Sequence, residues 1–281
     1  MLPKNKATME RKGCVITMGF NYNLTAAQIL QELGYKDPVA KEALIQQQQE
    51  KNIRLPSVLF EFLCLASDCP LLATADIGTE SQAPFSTLYE EIQEMIDEDQ
   101  EYWEEHPDDP DNSEYYQYYK LPREQWESRV PDYLLIGSDY GAGVVSFGIR
   151  LSDLDQDDPP VYMNHECDAI ADWKLWSKSL SGYLMMALCD ALCCGEYKTA
   201  ARALEEQGWA ASKLTREDFT RLIPDPSAML KELSLYGTES VCGCAYDGER
   251  KILVAVRADR KNEGYFYGME YRKQNGETQN V

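Results

Sequence analysis

Cysteines are the side chains whose spacing in this sequence comes nearest to that of a metal site. Cys189 and Cys193 are four residues apart in a predicted helix, and Cys242 and Cys244 are two apart in a predicted strand. Each pair therefore lies on one face of its element and could supply half of a zinc site. The chain has nine cysteines but just two histidines, without paired C-x-x-C units. We expect buried thiols of a reducing compartment, with no metal and no cofactor.

Motifs for hydrolysis and for phosphate binding are incomplete. Ser138 lacks the G-x-S-x-G spacing of a nucleophile elbow. Asp139 to Gly143 lacks the lysine of a phosphate loop. The four residues His165 to Asp168 are adjacent on an extended segment and point to opposite faces. A catalytic role would need a constellation of distant residues, such as Asp139, His165 and a cysteine, so we predict that the protein is not an enzyme.

Residues 97–120 combine acidic and aromatic side chains. Ten carboxylates fall between Asp97 and Glu114 without a lysine or an arginine. One interpretation is a solvated loop, because like charges repel. The other is a protein-binding surface, because tyrosine and tryptophan give contact area and carboxylates steer a basic partner. The second hypothesis assigns partner binding to these residues and to acidic loops near the central strands: Glu101, Tyr102, Trp103, Glu104, Glu105, Asp108, Asp109, Asp139, Asp155, Asp157 and Asp158.

The charge of the chain narrows the choice of partner. Among 281 residues there are 27 Lys and Arg against 48 Asp and Glu, which gives a formal net charge of −21. A phosphate backbone would be repelled, so we expect no nucleic acid and instead a basic protein. No apolar run approaches the length of about 18 residues that spans a membrane, and Met1 to Phe20 carries no secretory signal. These features predict a cytoplasmic protein.

The clearest β pattern lies between Pro131 and Glu166. Tyr133 to Ile136 is continuously apolar, as in a strand buried on both faces. A glycine-containing turn separates it from Val144 to Ile149, which predicts a hairpin. A third strand, Val161 to Met163, follows a pair of prolines at its start.

These residues and their neighbours resemble the SMI1/KNR4 group, the SUKH superfamily. The resemblance covers Leu24 to Gly195. The sequence differs from the family at two places. The Asn-Gly that often follows the Leu-Pro helix, here after Leu55-Pro56, is absent, and Gly143-Val144 stands where the family often has Gly-Asp. The similar motifs, in the family's order, are Leu55-Pro56 with its helix, Leu135-Ile136-Gly137-Ser138-Asp139-Tyr140-Gly141, Pro160-Val161-Tyr162, and Ser179-Leu180-Ser181-Gly182-Tyr183-Leu184.

The resemblance implies an α+β fold with a mostly antiparallel sheet flanked by helices. It also implies a non-catalytic immunity protein, mostly bacterial, that binds and neutralises a toxin domain. That domain is often a nuclease, whose basic cleft suits an acidic inhibitor. Other members of the group are regulatory scaffolds, and that alternative stays open. Residues 1–195 would form this domain, with the insert at 97–120.

Further helices and strands follow from caps and periodicity. Residues 196–281 form a C-terminal extension, either a small second domain or an addition to the first sheet. The predicted helices are Ala26 to Leu33 after Thr25, one from Pro38, one from Pro56, one from Ser86, Trp173 to Cys194, Tyr197 to Gln207, Arg216 to Leu222, and Asp225 to Leu233. The predicted C-terminal strands are Glu239 to Tyr246, Lys251 to Ala258, and Gly264 to Met269, the first two joined by a two-residue turn.

Overall fold

Two antiparallel sheets and the helices around them make up the structure, an α+β fold. The computed structural model describes residues 19–36, 38–66, 69, 77–78, 85–107, 114–126, 128–139, 145–165, 168–193, 197–235, 238–259 and 264–274. The run from Leu71 to Ala75, whose apolar residues predict a strand or the end of a buried segment, lies outside these ranges. Of the helices in these ranges, none is long and apolar enough to cross a membrane.

The helices of the described ranges begin and end close to the predicted caps. Thr25 and Gln28 form a reciprocal capping box at the first helix, and Gly34 ends it with a φ of 105°. The helices are α1 Ala26–Leu33, α2 Pro38–Lys51, α3 Ser57–Ala66, α4 Leu88–Glu105, α5 Glu114–Tyr119, α6 Leu180–Cys193, α7 Tyr197–Glu206, α8 Arg216–Leu222 and α9 Pro226–Met229.

Each sheet has five strands. The first has the order β1-β2-β3-β4-β5, and the second has the order β6-β10-β9-β8-β7. The strands are β1 Ile77–Gly78, β2 Tyr133–Asp139, β3 Val145–Arg150, β4 Val161–His165, β5 Lys174–Ser177, β6 Trp209–Leu214, β7 Lys231–Leu235, β8 Thr238–Asp247, β9 Ile252–Asp259 and β10 Phe266–Lys273.

Helix α6 lies between the two sheets. One hydrophobic cluster contains α6 together with residues of the first sheet, such as Phe147 and Val161, and residues of the second, such as Leu253 and Tyr271. The C-terminal strands therefore form a sheet of their own that shares its core with the N-terminal part. The division of the chain at residue 195 stays a prediction.

The outer face of each sheet is covered by other helices. In β9, Leu253 points to the cluster around α6, whereas Val254 points to a cluster with Phe219 of α8. In β2, Leu134 faces the α6 side and Leu135 packs in a third cluster with α4. The layers are thus α4 and α5, first sheet, α6 with α1 and α3, second sheet, and then α8 and α9.

Helix α6 starts later than the spacing of its apolar residues predicted. Residues 174–177 pair with β4, so the predicted helical stripe through Trp173 and Trp176 is wrong. The Ser179 hydroxyl accepts a hydrogen bond from the Gly182 N–H at 3.2 Å, which marks the true start of the helix. The ring of Trp173 instead stacks on Tyr133, with centroids 4.2 Å apart.

Two C-terminal predictions also need correction. Helix α9 ends at Met229, and residues predicted as its continuation form β7, which pairs with β8. Strand β6 was not predicted from its sequence. The connection between β8 and β9 has four residues, not two, and Lys251 in it has a φ of 54°.

A buried ion pair joins α6 to the second sheet. Asp190 is completely buried and binds the guanidinium of Arg257 in β9, whose side chain is 21% exposed. Taking one charge of such a pair away leaves the other without compensation in a poorly solvated place. This contact therefore links α6 to β9 of the second sheet.

Replacing Asp190 with alanine should lower the free energy of unfolding by about 3–5 kcal/mol, because Arg257 would remain partly buried and charged. Urea unfolding followed by circular dichroism measures this. The control is Asp155→Ala in an exposed loop, which should stay within about 0.5 kcal/mol of the original protein. Equal effects of the two substitutions would contradict the role of the pair.

The buried carboxylate of Asp247 organises the connection between β8 and β9. It accepts hydrogen bonds from the N–H groups of Glu249 at 3.1 Å and Arg250 at 2.9 Å, and it pairs with the Arg250 guanidinium. Burial by itself would raise the pKa of Asp247, but these hydrogen bonds and the charge of Arg250 outweigh it and lower the pKa. The charged form therefore stabilises the folded state.

The substitution Asp247→Asn should cost about 1.5–3 kcal/mol at pH 7, because it removes a charged acceptor. The folded pKa is lowered, so the contribution is present above the unfolded pKa of about 3.9 and is lost as the pH falls through the folded value. Urea unfolding of both proteins from pH 7 down to the acid range should show the difference shrinking. A difference that is constant with pH would contradict this account.

Candidate partner-binding surface

Six of the ten carboxylates in the acidic stretch lie in the helix α4, which is neither a loop nor an irregular segment. Its N-cap is Thr87, whose hydroxyl accepts from the Glu90 N–H while the Glu90 carboxylate accepts from the Thr87 N–H at 2.8 Å. Glu90 also pairs with Lys51 of α2. Because Ile92 and Ile96 are buried against the first sheet, the helix presents a fixed face to solvent.

The solvent side of α4 is almost entirely acidic. Helix α4 contains nine carboxylates and no lysine or arginine among its 18 residues. The ring of Tyr102 is 48% exposed and stacks on His106, with centroids 4.5 Å apart. We call the exposed residues of this side the α4 acidic face: Glu94, Asp97, Glu98, Glu101, Tyr102, Glu104 and Glu105.

Trp103 does not belong to this surface. It is 2% exposed and packs on Tyr116 and Tyr119 of α5, with centroid distances of 5.3 and 5.1 Å. The partner-binding role predicted for Trp103 stays a prediction, although the structure gives its ring almost no exposed area. Burial of so large a ring is what holds α5 against α4.

The remaining predicted residues lie elsewhere. Asp108 and Asp109 fall outside the described residues, and Asp139 is the last residue of β2. Asp155 and Asp157 are exposed in the connection between β3 and β4. Asp158 lies in the same connection, and its carboxylate accepts hydrogen bonds from Ser181 of α6.

Asp158 caps the first turn of α6 and so contributes to the stability of the fold. Its carboxylate accepts from the Ser181 N–H at 2.7 Å and from the Ser181 hydroxyl at 2.6 Å, at the first turn of α6. A carboxylate in this place also complements the positive end of the helix dipole. The structure therefore brings together the predicted residues of α4, and it gives Asp158 a capping role that the sequence prediction did not foresee.

The sequence prediction missed Glu94, which belongs to the α4 acidic face, and Arg123, which lies beside it. Glu94 lies one turn before Glu98, and Arg123 follows α5. Together with residues of α4 they line a shallow groove, where the Arg123 Nε donates to the Tyr89 hydroxyl at 2.9 Å. Helical periodicity would have found Glu94, since i and i+4 share a face. Nothing in the spacing of Arg123 points to the groove.

The α4 acidic face reduces the stability of its own helix. Glu94 and Glu98, Asp97 and Glu101, and Glu101 and Glu105 are like charges one turn apart. Each such pair destabilises a helix by about 0.2–0.5 kcal/mol. The last turn also carries carboxylates where the helix dipole is already negative. Buried apolar residues of α4 offset this cost.

The arrangement can attract cations but is not built to hold a metal ion. Within the described ranges, no three histidine, cysteine, aspartate or glutamate side chains are placed for coordination. What the carboxylates of α4 can do is raise the local concentration of positive groups and steer them to the surface.

Comparison of the sequence with protein-family models finds no match, and comparisons with curated proteins and with solved structures find none either. The resemblance to the SUKH superfamily therefore stays a prediction from the sequence motifs alone.

The double substitution Glu98→Gln and Glu101→Gln should raise the free energy of unfolding by about 1 kcal/mol at low ionic strength, because it removes several like-charge pairs from α4. Added salt should shrink the gain. Urea unfolding at two salt concentrations measures both effects. The matched control, Asp155→Asn with Asp157→Asn, makes the same change of net charge in an exposed loop. An equal gain in the control would mean that only net charge matters.

Proposed function

We propose that this protein is a non-catalytic binding module whose α4 acidic face docks on a basic protein. Its most fitting role is that of an immunity protein that neutralises a toxin domain. The observation that carries the proposal is the concentration of exposed carboxylates, with an exposed tyrosine, on one side of a rigidly packed helix.

The energetic cost of this surface supports a binding role. Proteins break local rules of stability mainly where function requires it. A helix that exists only to cover the first sheet would gain stability from alternating charges, yet α4 has acidic charges only. The cost is recovered when a basic surface neutralises the face on binding.

Tyr102 gives the face more than charge. Exposed tyrosine supplies a large contact area with few rotatable bonds, and it is enriched among residues that dominate binding energy. Lysine and arginine side chains also bind well to aromatic rings. A basic partner with such side chains could bind the carboxylates and the Tyr102 ring within one turn of α4.

The resemblance to the SUKH superfamily supports the choice of immunity protein. The described residues of its motifs fall before α3, in β2, at the start of β4 and at the start of α6. Members of that group mostly bind toxin domains, often nucleases. A nuclease holds a polyanion in a basic cleft, which an acidic helix can occupy.

A regulatory scaffold with a cellular partner is the second candidate. It would use the same acidic face, so the surface alone does not separate the two. The identity of the partner distinguishes the two roles. A toxin-like domain encoded beside this protein would favour an immunity protein, whereas a solitary coding sequence would favour a scaffold.

Where the adjacent coding sequence encodes a toxin-like domain, the test is co-expression of that domain with this protein, followed by stopped-flow association of the purified pair. Replacing Glu98, Glu101, Glu104 and Glu105 with glutamine should slow association about tenfold at low salt and flatten its salt dependence. It should also reduce the protection of cells from the toxin.

The matched control neutralises four exposed carboxylates elsewhere, namely Glu42, Glu61, Glu205 and Glu249. This control has the same net charge and should keep most of the association rate. Equal rates for both variants would refute docking on α4 while leaving immunity open. Absence of binding by the unaltered protein would refute the immunity role.

A further inference from the structure

Three thiols meet where α6 crosses the second sheet, because Cys189 of α6 contacts both Cys242 and Cys244 of β8. The Sγ atoms of Cys189 in α6 and Cys244 in β8 are 3.5 Å apart, although the residues are 55 apart in sequence. Both side chains are buried, in the cluster that joins the two sheets. None of the six cysteines in the described ranges is in a disulfide.

The backbone around the pair is held in place. Between Cys242 and Cys244, Gly243 passes so close to α9 that a Cβ added there would lie 2.2 Å from the Met229 carbonyl oxygen. Strand β8 is therefore confined between α6 on one face and α9 on the other. The short distance between the thiols is a consequence of this packing.

Oxidation is the chemistry that this pair permits. Coordination is not indicated, because the described residues contain no set of three ligands placed for a metal. A disulfide needs the sulfur atoms to approach from 3.5 Å to about 2.05 Å. A disulfide here would link α6 covalently to the second sheet.

The burial of the thiols sets the conditions for this reaction. Burial raises the pKa of Cys189 well above its usual value. The thiolate is the reactive form, so the folded protein should resist oxidation until α6 and β8 separate locally. The reaction should thus be slow in the native state and faster under mildly denaturing conditions.

We propose that Cys189 and Cys244 are a site of oxidative modification, where a small-molecule disulfide converts the two thiols into a disulfide. One protein thiolate attacks the oxidant, which forms a mixed disulfide and releases one small thiol. The second protein thiolate attacks the protein sulfur of that mixed disulfide and releases the second small thiol. The oxidant takes up two electrons, and the two protons end on the released thiols.

The experiment uses oxidised glutathione as the probe at pH 8, on the full chain, without urea and in urea just below the unfolding transition. Peptides that carry Cys189 and Cys244 should become linked, about two mass units lighter than the two thiol peptides together and without retained glutathione, and this should be faster in urea. The oxidised protein should unfold at a urea midpoint about 1 M higher, and a reducing agent should reverse the shift.

Two variants, each with one cysteine of β8 replaced by serine, identify which thiol bonds to Cys189. Cys242→Ser should still form the cross-link, and Cys244→Ser should lose it; circular dichroism shows that each is folded. Peptide fragmentation of the unaltered protein locates the bond independently. A bond from Cys189 to Cys242, or no cross-link under either condition, would overturn the proposal.

Discussion

The burial of α6 on all sides is the constraint from which the rest of the structure follows. Almost every residue from Leu180 to Cys193 is buried, so the helix needs apolar surfaces around it rather than along one stripe. Two sheets and the helices α1 and α3 provide them. Its single charged residue, Asp190, then requires a partner, and Arg257 of the second sheet supplies it. The N-terminal and C-terminal parts of the chain are thereby tied into one core.

The same arrangement explains why an acidic helix can persist on the surface. The first sheet faces α6 with one side and needs a cover on the other. Helix α4 provides it with Ile92, Ile96 and Trp103, and α5 adds further aromatic rings. Because these apolar contacts hold α4 in place, the residues on its outer side do not need to stabilise the helix. The carboxylates there can therefore accumulate at the expense of local stability.

Much of the fold could be predicted from the sequence where a local signal agrees with the packing. The capping residues Thr25 and Thr215 mark the starts of α1 and α8, and the apolar run from Tyr133 to Ile136 is buried on both faces. Prediction failed where a tertiary contact overrides the pattern. The spacing of Trp173 and Trp176 suits a helix, but pairing with β4 draws that segment into the sheet.

The candidate site was predictable in composition but not in geometry. Ten carboxylates without a basic residue identify the acidic stretch, whereas nothing in the sequence separates the exposed Tyr102 from the buried Trp103. That difference depends on which side of α4 meets α5. Likewise, Asp158 resembles the acids around it until the fold brings Ser181 within hydrogen-bonding distance.

Hydrogen exchange of the chain with and without the basic protein partner that we propose for it tests the central claim most directly. The account predicts that the amides of residues 88–105 gain the strongest protection in the complex. Protection confined to the second sheet and α8, with α4 unchanged, would contradict it.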